Sequence, residues 1–430
     1  MSVIKSVKER MERRKFIKNS SMATAGLGIG LSVISCAKKE SKVVAVPIND
    51  IERIRIGIIG MGDRGGAIIK VLNTLPIFKV IACCDVLDFR LKKGQENIDG
   101  NPTPYSDHQE MFKNTELEAV IISVPLHEHY RIAMDALDIN VHIMCEKALA
   151  YNIEQSKAIK LKADKSSKLF QISYQYQLNP TFKAIKDIIQ KGHCGKIMRV
   201  DASWHRNSNW RRPLPAPDLE RQINWRMYRE YSGGLMAELG SHQLNMIDNI
   251  IGDHPTKVVG TGGIDYWKDG REVFDNVYTI FDYPSGAKAS FSSILSNKFE
   301  DQAIKFYGDK ATIVTNQMNE AFIYPEGEQD KGWGEEVDGV SGASVKIIGS
   351  KDTQKREITP IQEDSNSCPF EDNYFKTTWL LYENFAAAIK EKESLIMGLK
   401  DGYQSAISVH MANTAMREER TVRWLPEYDI

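Results

Sequence analysis

The sequence has no excess of charge of either sign and no long apolar run. Its 430 residues carry 56 lysines and arginines against 57 aspartates and glutamates. No net field therefore attracts a nucleic-acid backbone, and we expect no nucleic-acid partner. No apolar run reaches the roughly 18 to 20 residues that a transmembrane helix needs. With 42% hydrophobic residues, the chain can still build folded, soluble domains.

Cysteine is scarce, and none of it shows paired spacing. The six cysteines include no C-x-x-C pair, so the sequence indicates neither a disulfide framework nor a zinc site, and we predict no metal. Cys83, Cys84 and Cys145 lie in apolar, strand-like runs. In such runs cysteine is usually a small buried hydrophobe, and we expect that here.

The first 52 residues have the pattern of an export signal followed by a flexible linker. Arg13-Arg14 precede a weakly apolar stretch at 21–35, as in twin-arginine signals, and that stretch ends at Cys36, as in bacterial lipoproteins. We predict a signal over 1–35, an acylated Cys36 and a polar linker over 36–52. The protein would be exported, periplasmic or membrane-anchored, and would touch the membrane only through its lipid. The alternative is a basic tail with a chance arginine pair.

The first strand-like run leads into a glycine-rich turn. Residues 53–59 are β-rich and continue into Gly60-Met61-Gly62-Asp63-Arg64-Gly65, followed by a helix-like stretch. This is G-x-G-x-x-G in a strand-turn-helix context. The glycines allow a tight turn, approach of a pyrophosphate and close helix packing, while the helix N-terminus offers free N–H groups. The six residues of the motif are therefore predicted to bind a dinucleotide.

An acidic residue at the end of the second strand favours NAD. Asp85 follows the strand-like run 79–84 and stands 20 residues after Gly65, where a carboxylate can accept hydrogen bonds from the adenosine ribose. The same charge would repel a 2′-phosphate, so NAD is favoured over NADP, although Arg90 nearby keeps NADP open. The alternative is that Asp85 only caps the next helix.

The following segments alternate strands and helices. The apolar runs 118–124 and 141–145 predict further strands of a parallel, doubly wound sheet over 53–175. Ligands bind at the carboxyl ends of such strands. We therefore expect Asp85, the turn from Pro125 to His129, and the pair Glu146-Lys147 to face one crevice.

At this point the chain resembles the glucose-fructose oxidoreductase and inositol dehydrogenase (Gfo/Idh/MocA) family over about residues 53–425. The family implies an α/β fold: a Rossmann domain joined to an α/β domain with an open, largely antiparallel sheet, often used to form homo-oligomers. It also implies cofactor-binding roles for Pro125, His129 and Glu146. The resemblance rests on the glycine motif, Ser123-Val124-Pro125 with His129, Glu146-Lys147, Gln175 to Asn179-Pro180, and Gly233-Gly234-x-x-x-Glu238-x-x-x-His242.

The sequence itself supports a second domain over 176–430. Runs at 276–283 and 287–294 are strand-like and are joined by Pro284-Ser285-Gly286, which predicts a hairpin. Hairpin-linked strands indicate an antiparallel sheet. A polar, glycine-rich stretch at 325–373 predicts a long surface excursion of unassigned role. Helices over 374–389 and 402–417 are expected to close the domain.

Two groups are candidates for moving the proton that accompanies a hydride. By resemblance, Lys147 matches the lysine of the family's Glu-Lys-Pro motif, with Ala148 in place of proline; the alternative is a lysine paired with Glu146. His242 matches the family's catalytic base. Glu238, four residues earlier, is predicted to share its helix face and either orient it or bind sugar. The alternative for His242 is a satisfied core histidine.

The stretch 204–231 is rich in side chains that stack on sugars or bind hydroxyl groups. It could instead be structural or an oligomer contact. The residues predicted to bind substrate are Tyr174, Tyr176, Trp204, Arg206, Trp225 and Arg226.

Three functions remain open from the sequence. The first is an exported NAD(P)-dependent dehydrogenase that oxidises a ring hydroxyl of a sugar or glycoside, with C3 as candidate carbon and a tightly bound cofactor. The second is a redox-neutral, NAD-dependent glycosidase. The third is a catalytically inactive sugar- or nucleotide-binding lipoprotein. The retained Glu146-Lys147 pair favours the first.

Overall fold

The computed structural model describes residues 52–316, 319–327, 356–359 and 368–430. These residues belong to one compact unit that begins at residue 48. The predicted signal at 1–35, Cys36, the linker up to residue 51 and most of the polar stretch at 325–373 lie outside the described residues.

A parallel sheet forms from the strands that the sequence predicted. The strand order is β3-β2-β1-β4-β5-β6, and every neighbouring pair is parallel. Helices α1 to α5 connect the strands. The bounds are β1 Ile54–Ile59, α1 Asp63–Leu72, β2 Phe78–Cys84, α2 Asp88–Glu96, β3 Thr103–Tyr105, α3 His108–Asn114, β4 Ala119–Ile122, α4 His129–Asp138, β5 His142–Cys145, α5 Ile153–Ala163 and β6 Phe170–Ile172.

Burial on both faces explains the composition of these strands. All four residues of β4 are buried, as are five of the six residues of β1. Strands of a parallel sheet covered by helices on both sides are apolar throughout rather than alternating. Cys83, Cys84 and Cys145 are free and buried, which confirms the prediction from their apolar surroundings.

The second sheet has nine described strands in the order β14-β13-β12-β11-β7-β10-β9-β8-β15. Only the pair β7 and β10 is parallel, which confirms a largely antiparallel sheet. The bounds are α6 Pro180–Gln190, β7 Ile197–Asn207, α7 Glu220–Ile223, α8 Ser241–Ile251, β8 Lys257–Gly263, β9 Asn276–Asp282, β10 Lys288–Ile294, β11 Ser296–Gly308, β12 Ala311–Asn316, β13 Glu320–Pro325, β14 Arg356–Glu357, α9 Asn373–Ile389, α10 Leu399–Arg417 and β15 Val422–Arg423.

The two closing helices go to different sheets. Helix α10 packs on α8 and β8 of the second sheet, and it also contacts α5 and β6 of the first. Helix α9 instead packs on α1, and its residues Trp379, Tyr382 and Phe385 join the core on one face of the parallel sheet. The C-terminal part of the chain thus completes the N-terminal domain. The other face of the parallel sheet shares a continuous core with the second sheet.

One face of the second sheet stays open. Val259, Tyr278 and Ile280 are 40%, 50% and 49% exposed, and they are neighbours on β8 and β9. In the part of the chain that the structure describes, no helix is long and apolar enough to cross a membrane.

Candidate active site

A cleft of about 840 Å³ runs from the carboxyl ends of the parallel strands to the end of β7. Most of the sequence-predicted site residues line it. They are Gly60, Gly62, Asp63, Arg64, Asp85, Pro125, His129, Glu146, Lys147, Tyr176, Trp204, Arg206, Trp225, Arg226, Glu238 and His242. Three predicted residues, Met61, Gly65 and Tyr174, are instead buried behind the cleft wall.

The glycine motif fits a dinucleotide. Gly60 has a φ of +94°, and a Cβ there would lie 2.3 Å from the Ser123 carbonyl oxygen. A Cβ on Gly65 would lie 2.0 Å from the carbonyl oxygen of Gly60, so only glycine lets α1 begin this close to the turn. A Cβ on Gly62 would point into the cleft, with Arg90 Nη1 as its nearest neighbour at 3.5 Å. The missing side chain at Gly62 thus leaves space for a ligand.

Asp85 lies at the cleft and also holds the glycine turn. Its carboxylate accepts the Met61 N–H at 2.7 Å and the Leu87 N–H at 2.9 Å. Burial raises the pKa of Asp85, although these two hydrogen bonds and the charge of Arg90 oppose the rise. Met61 therefore contributes its backbone to the site, since its N–H fixes the carboxylate that is predicted to receive the ribose.

Arg64 lines the cleft and donates to four protein side chains. Its Nε donates to Glu146 Oε1 at 2.6 Å and its Nη2 to Ser173 Oγ at 3.2 Å. Its Nη1 donates to Tyr374 Oη at 2.9 Å and to Thr378 Oγ1 at 3.1 Å. Arg64 and Glu146 form an ion pair at the wall of the cleft, which ties the glycine motif to β5 and α9; their cofactor-binding roles stay predictions.

Pro125 and His129 shape the turn after β4. Pro125 precedes a short 3₁₀ turn, and His129 begins α4. His129 Nδ1 lies 2.9 Å from the Ala148 carbonyl oxygen and Nε2 lies 3.1 Å from that of Val124. Since both ring nitrogens face protein carbonyls, His129 braces the ends of β4 and β5 at the wall of the cleft.

Lys147 reaches across the cleft to the second domain. Its Nζ donates to the Glu238 carbonyl oxygen at 3.0 Å and to that of Ala237 at 3.4 Å. The alternative pairing with Glu146 is therefore wrong, because that carboxylate is bound to Arg64. Burial lowers the pKa of Lys147, although the carboxylates of Glu238 and Glu146 oppose this. An ammonium has three N–H donors, so one is left for a ligand.

Glu238 and His242 both line the cleft, as their spacing predicted. Residues Met236–Gly240 form a π-helical turn ahead of α8, so the segment between them is not purely α-helical. Glu238 Oε2 accepts the Arg226 Nε–H at 2.7 Å. Burial raises the pKa of Glu238, but the charges of Arg226 and Lys147 outweigh this and lower it overall.

His242 is a neutral imidazole enclosed by aromatic rings. Its ring centroid lies 5.8 Å from that of Tyr174, 5.0 Å from Tyr176 and 5.7 Å from Trp204. Burial, and then the charges of Lys147 and Arg64, hold its pKa well below the ordinary value. Its Nδ1 is buried and has no hydrogen-bond partner among the described residues. A neutral histidine of this kind can accept a proton at neutral pH.

The wall beside His242 consists of aromatic rings with arginines stacked on them. Arg206 lies 5.3 Å from the Trp204 ring, and Arg226 lies 4.3 Å from the Trp225 ring. Tyr176 packs edge-on against Trp204. Rings with charged donors beside them suit a polyhydroxylated ligand. Tyr174, which was predicted to bind substrate, packs behind His242 and supports its ring.

Two residues that reach the cleft from remote positions were not predicted from the sequence. Arg212 and Tyr374 line the cleft, and Arg212 Nε donates to Asp63 Oδ2 at 2.8 Å. Tyr374 binds Arg64 from 310 positions away. The only local signal was the cluster Trp210-Arg211-Arg212 in a loop that otherwise contains many prolines.

Curated proteins with similar sequences are dehydrogenases and oxidoreductases. Levoglucosan dehydrogenase of Pseudarthrobacter phenanthrenivorans is 23% identical over 397 residues, covering 83% of this chain and 94% of that protein. The scyllo-inositol 2-dehydrogenase (NADP(+)) IolW of Bacillus subtilis is 21% identical over 379 residues, covering 86% of this chain and 96% of that protein.

Solved structures share the fold. The WlbA dehydrogenase of Bordetella pertussis, in complex with NADH and UDP-GlcNAcA, matches with a TM-score of 0.68 at 19% identity, covering 88% of this chain and 99% of that one. A levoglucosan dehydrogenase in complex with NADH and levoglucosan matches with a TM-score of 0.69 at 20% identity, covering 86% and 99%.

Family sequence profiles agree with both halves of the molecule. Residues 54–174 match the NAD-binding Rossmann fold of the oxidoreductase family, and residues 182–314 match the Gfo/Idh/MocA C-terminal domain. The two matched regions contain the glycine motif, Lys147 and His242, which face one another across the cleft. The chain therefore belongs to the Gfo/Idh/MocA family of oxidoreductases and carries that family's NAD-binding domain.

Proposed function

We propose that this protein is an NAD-dependent dehydrogenase that oxidises a ring hydroxyl of a sugar or glycoside, with C3 as the candidate carbon. The observation that carries the proposal is the position of His242, whose buried Nδ1 has no partner among the described residues, between aromatic rings in the same cleft as Lys147 and the glycine motif. Relatives named for levoglucosan, inositol and UDP-GlcNAcA support a sugar substrate.

The chemistry divides between cofactor and protein. The glycine motif and Asp85 would hold NAD, which would supply a hydride acceptor for the carbinol carbon. His242 accepts the hydroxyl proton, so the alcohol becomes a ketone by losing one hydride from carbon, which carries both electrons, and one proton from oxygen. Lys147 donates the N–H that its two carbonyl partners leave free to the reacting oxygen. Tyr176 and Trp204 stack on the sugar ring, while Glu238 keeps Arg226 at the edge of the site.

The decisive experiment purifies the full chain without added cofactor, identifies any released dinucleotide by mass, and follows nicotinamide absorbance while glycosides are added. We expect reduction of the cofactor and a keto-glycoside equal in amount to the reduced nicotinamide. The matched pair of variants is His242→Gln, which should abolish the signal, and the exposed His193→Gln, which should not. Many turnovers of free sugar without net reduction would establish the redox-neutral glycosidase instead. Sugar binding without either signal would indicate the inactive binding protein.

We also propose that the protein is exported and held by a lipid on Cys36, with its dinucleotide loaded before export and tightly bound. The support is the order of Arg13-Arg14, the apolar stretch and Cys36 in the sequence. Cell fractionation of Cys36→Ala should release the protein from the membrane, and replacing both arginines by lysine should keep it inside the cytoplasm. A wild-type protein found only in the cytoplasm would refute the proposal.

Self-association through the open sheet face is the remaining part of the proposal. Tyr278 and Ile280 form an exposed apolar patch with Val259 on β8 and β9, and such patches often mark protein interfaces. Light scattering should show an oligomer, and Ile280→Asp should dissociate it. A monomer at micromolar concentration would contradict this part alone.

A further inference from the structure

One arginine of the second domain reaches the glycine motif of the first. Arg212 lies in the 208–224 loop, which follows β7 and includes α7, and its Nε donates to Asp63 Oδ2 at 2.8 Å. Asp63 is the first residue of α1, directly after Gly62. This helix start is where a Rossmann domain receives the pyrophosphate of its dinucleotide. Arg212 thus brings a positive charge from the opposite wall to that position.

The backbone of Arg212 is fixed although its side chain is half exposed. Its N–H donates to Asn224 Oδ1 at 2.6 Å, and its carbonyl oxygen accepts from Asn224 Nδ2 at 3.2 Å. The preceding Arg211 binds the Asp269 carboxylate at 3.2 Å and its carbonyl oxygen at 2.6 Å. The loop therefore holds the guanidinium over the cleft, and only the side chain has to move in order to change partners.

The ion pair with Asp63 is too weak to explain why Arg212 is held at this position. The side chains of Arg212 and Asp63 are 51% and 75% exposed, and such ion pairs contribute only about 0 to 1 kcal/mol. A carboxylate at the start of α1 would also repel a pyrophosphate unless a cation compensates it. Arg64, the arginine of the motif itself, has its charge balanced by Glu146, and four of its five N–H groups donate to Glu146, Ser173, Tyr374 and Thr378.

We propose that Arg212 binds the pyrophosphate of the dinucleotide, and that Asp63 holds the guanidinium in place until the dinucleotide arrives. Pyrophosphate carries more negative charge than one carboxylate and accepts the planar guanidinium fork with two oxygens. When Arg212 moves from Asp63 to the pyrophosphate, the Asp63 carboxylate remains in solvent beside the N-terminus of α1, and a helix N-terminus stabilises an anion. The inference uses the NAD-binding domain and does not depend on which sugar the protein oxidises.

The test compares two probes on the full chain after any bound dinucleotide has been removed. ADP-ribose carries the pyrophosphate, whereas adenosine lacks it, and both are titrated by calorimetry. Arg212→Gln should weaken ADP-ribose binding about 10- to 100-fold, the loss of charge-assisted hydrogen bonds to phosphate. Adenosine affinity should stay within about twofold, which also shows that the variant is folded. Arg212→Lys keeps the positive charge but lacks the planar guanidinium, so its affinity for ADP-ribose should lie between those of the wild type and Arg212→Gln.

A second variant separates phosphate binding from a simple clasp between the domains. Asp63→Asn frees Arg212 and removes a negative charge, so it should leave ADP-ribose binding unchanged or tighten it. If Asp63→Asn and Arg212→Gln weaken ADP-ribose equally, the pair is only a clasp and the proposal is wrong. A change below about twofold in Arg212→Gln would also overturn it. The control is Arg199→Gln, an exposed arginine on β7 that pairs with Asp201 and does not line the cleft, which should leave the ADP-ribose affinity unchanged.

Discussion

Asp248 allows a quantitative test of the fold at a distance from the cofactor motif. This carboxyl group on α8 is buried, and its Oδ1 accepts the Tyr283 O–H at 2.6 Å. Burial raises its pKa from 3.8 to about 8, although the hydrogen bond from Tyr283 opposes the rise. Asp248 is therefore protonated in the folded protein at neutral pH and ionised in the unfolded chain.

The sign and size of the pH effect follow from this difference. Between pH 3.8 and about 8 the folded state binds one proton more than the unfolded state, so stability falls as the pH rises. Each pH unit is worth about 1.4 kcal/mol, which gives a loss of about 3 kcal/mol from pH 5 to pH 7. The Asp248→Asn variant cannot ionise at this position, so its free energy of unfolding should not show this fall with pH.

The assay is chemical denaturation of wild type and Asp248→Asn at pH 5 and at pH 7. The difference in the free energy of unfolding should shift in favour of the variant by about 3 kcal/mol between the two pH values. Exposed Asp99→Asn, as control, should show no such shift. If the difference between wild type and Asp248→Asn is the same at both pH values, the carboxyl is ionised in the folded state and the reasoning fails.

Further predictions concern the cleft. His242→Gln should lower kcat by about 10²- to 10⁴-fold while NADH still binds. In the wild type, the acid limb of the kcat/KM profile should lie below pH 6.5, because burial depresses the pKa of the histidine. An acid limb at pH 6.5 would contradict this. Gly65→Ala places a Cβ 2.0 Å from the Gly60 oxygen and should cost at least about 2 kcal/mol in thermal or urea unfolding, whereas Gly66→Ala meets nothing within 4 Å and should be neutral or stabilising. Asp85→Asn should raise the kcat/KM ratio of NADP to NAD by about tenfold, and an unchanged ratio would refute electrostatic selection.

The fold was predictable because its signals are local. The glycine motif, the apolar strands and the hairpin at 284–286 each lie within a short stretch, and each specifies its own turn or strand. The carboxyl-end rule then brings Asp85, Pro125 and Lys147 to one cleft from topology alone. The resemblance added the role of His242, which spacing by itself could not supply.

The pairings inside the site were not predictable, because they join residues far apart in the chain. The Arg64–Tyr374 hydrogen bond spans 310 positions and the Arg212–Asp63 bond spans 149. The spacing of Glu238 and His242 predicted an α-helical turn between them, whereas residues Met236–Gly240 form a π-helical turn. Nothing in the local composition distinguishes a π-helical turn from an α-helical one.

The return of α9 to the first sheet has a consequence for biosynthesis. The parallel sheet is finished by residue 172, yet one of its faces lacks Trp379, Tyr382 and Phe385 until more than two hundred further residues have left the ribosome. During that time an apolar face stays uncovered, where a chaperone or a second nascent chain would bind. The nucleotide-binding half is therefore not a separable module: a chain stopped before residue 373 would yield an aggregation-prone fragment, and the protein acquires its full dinucleotide site only when nearly all of it has been made.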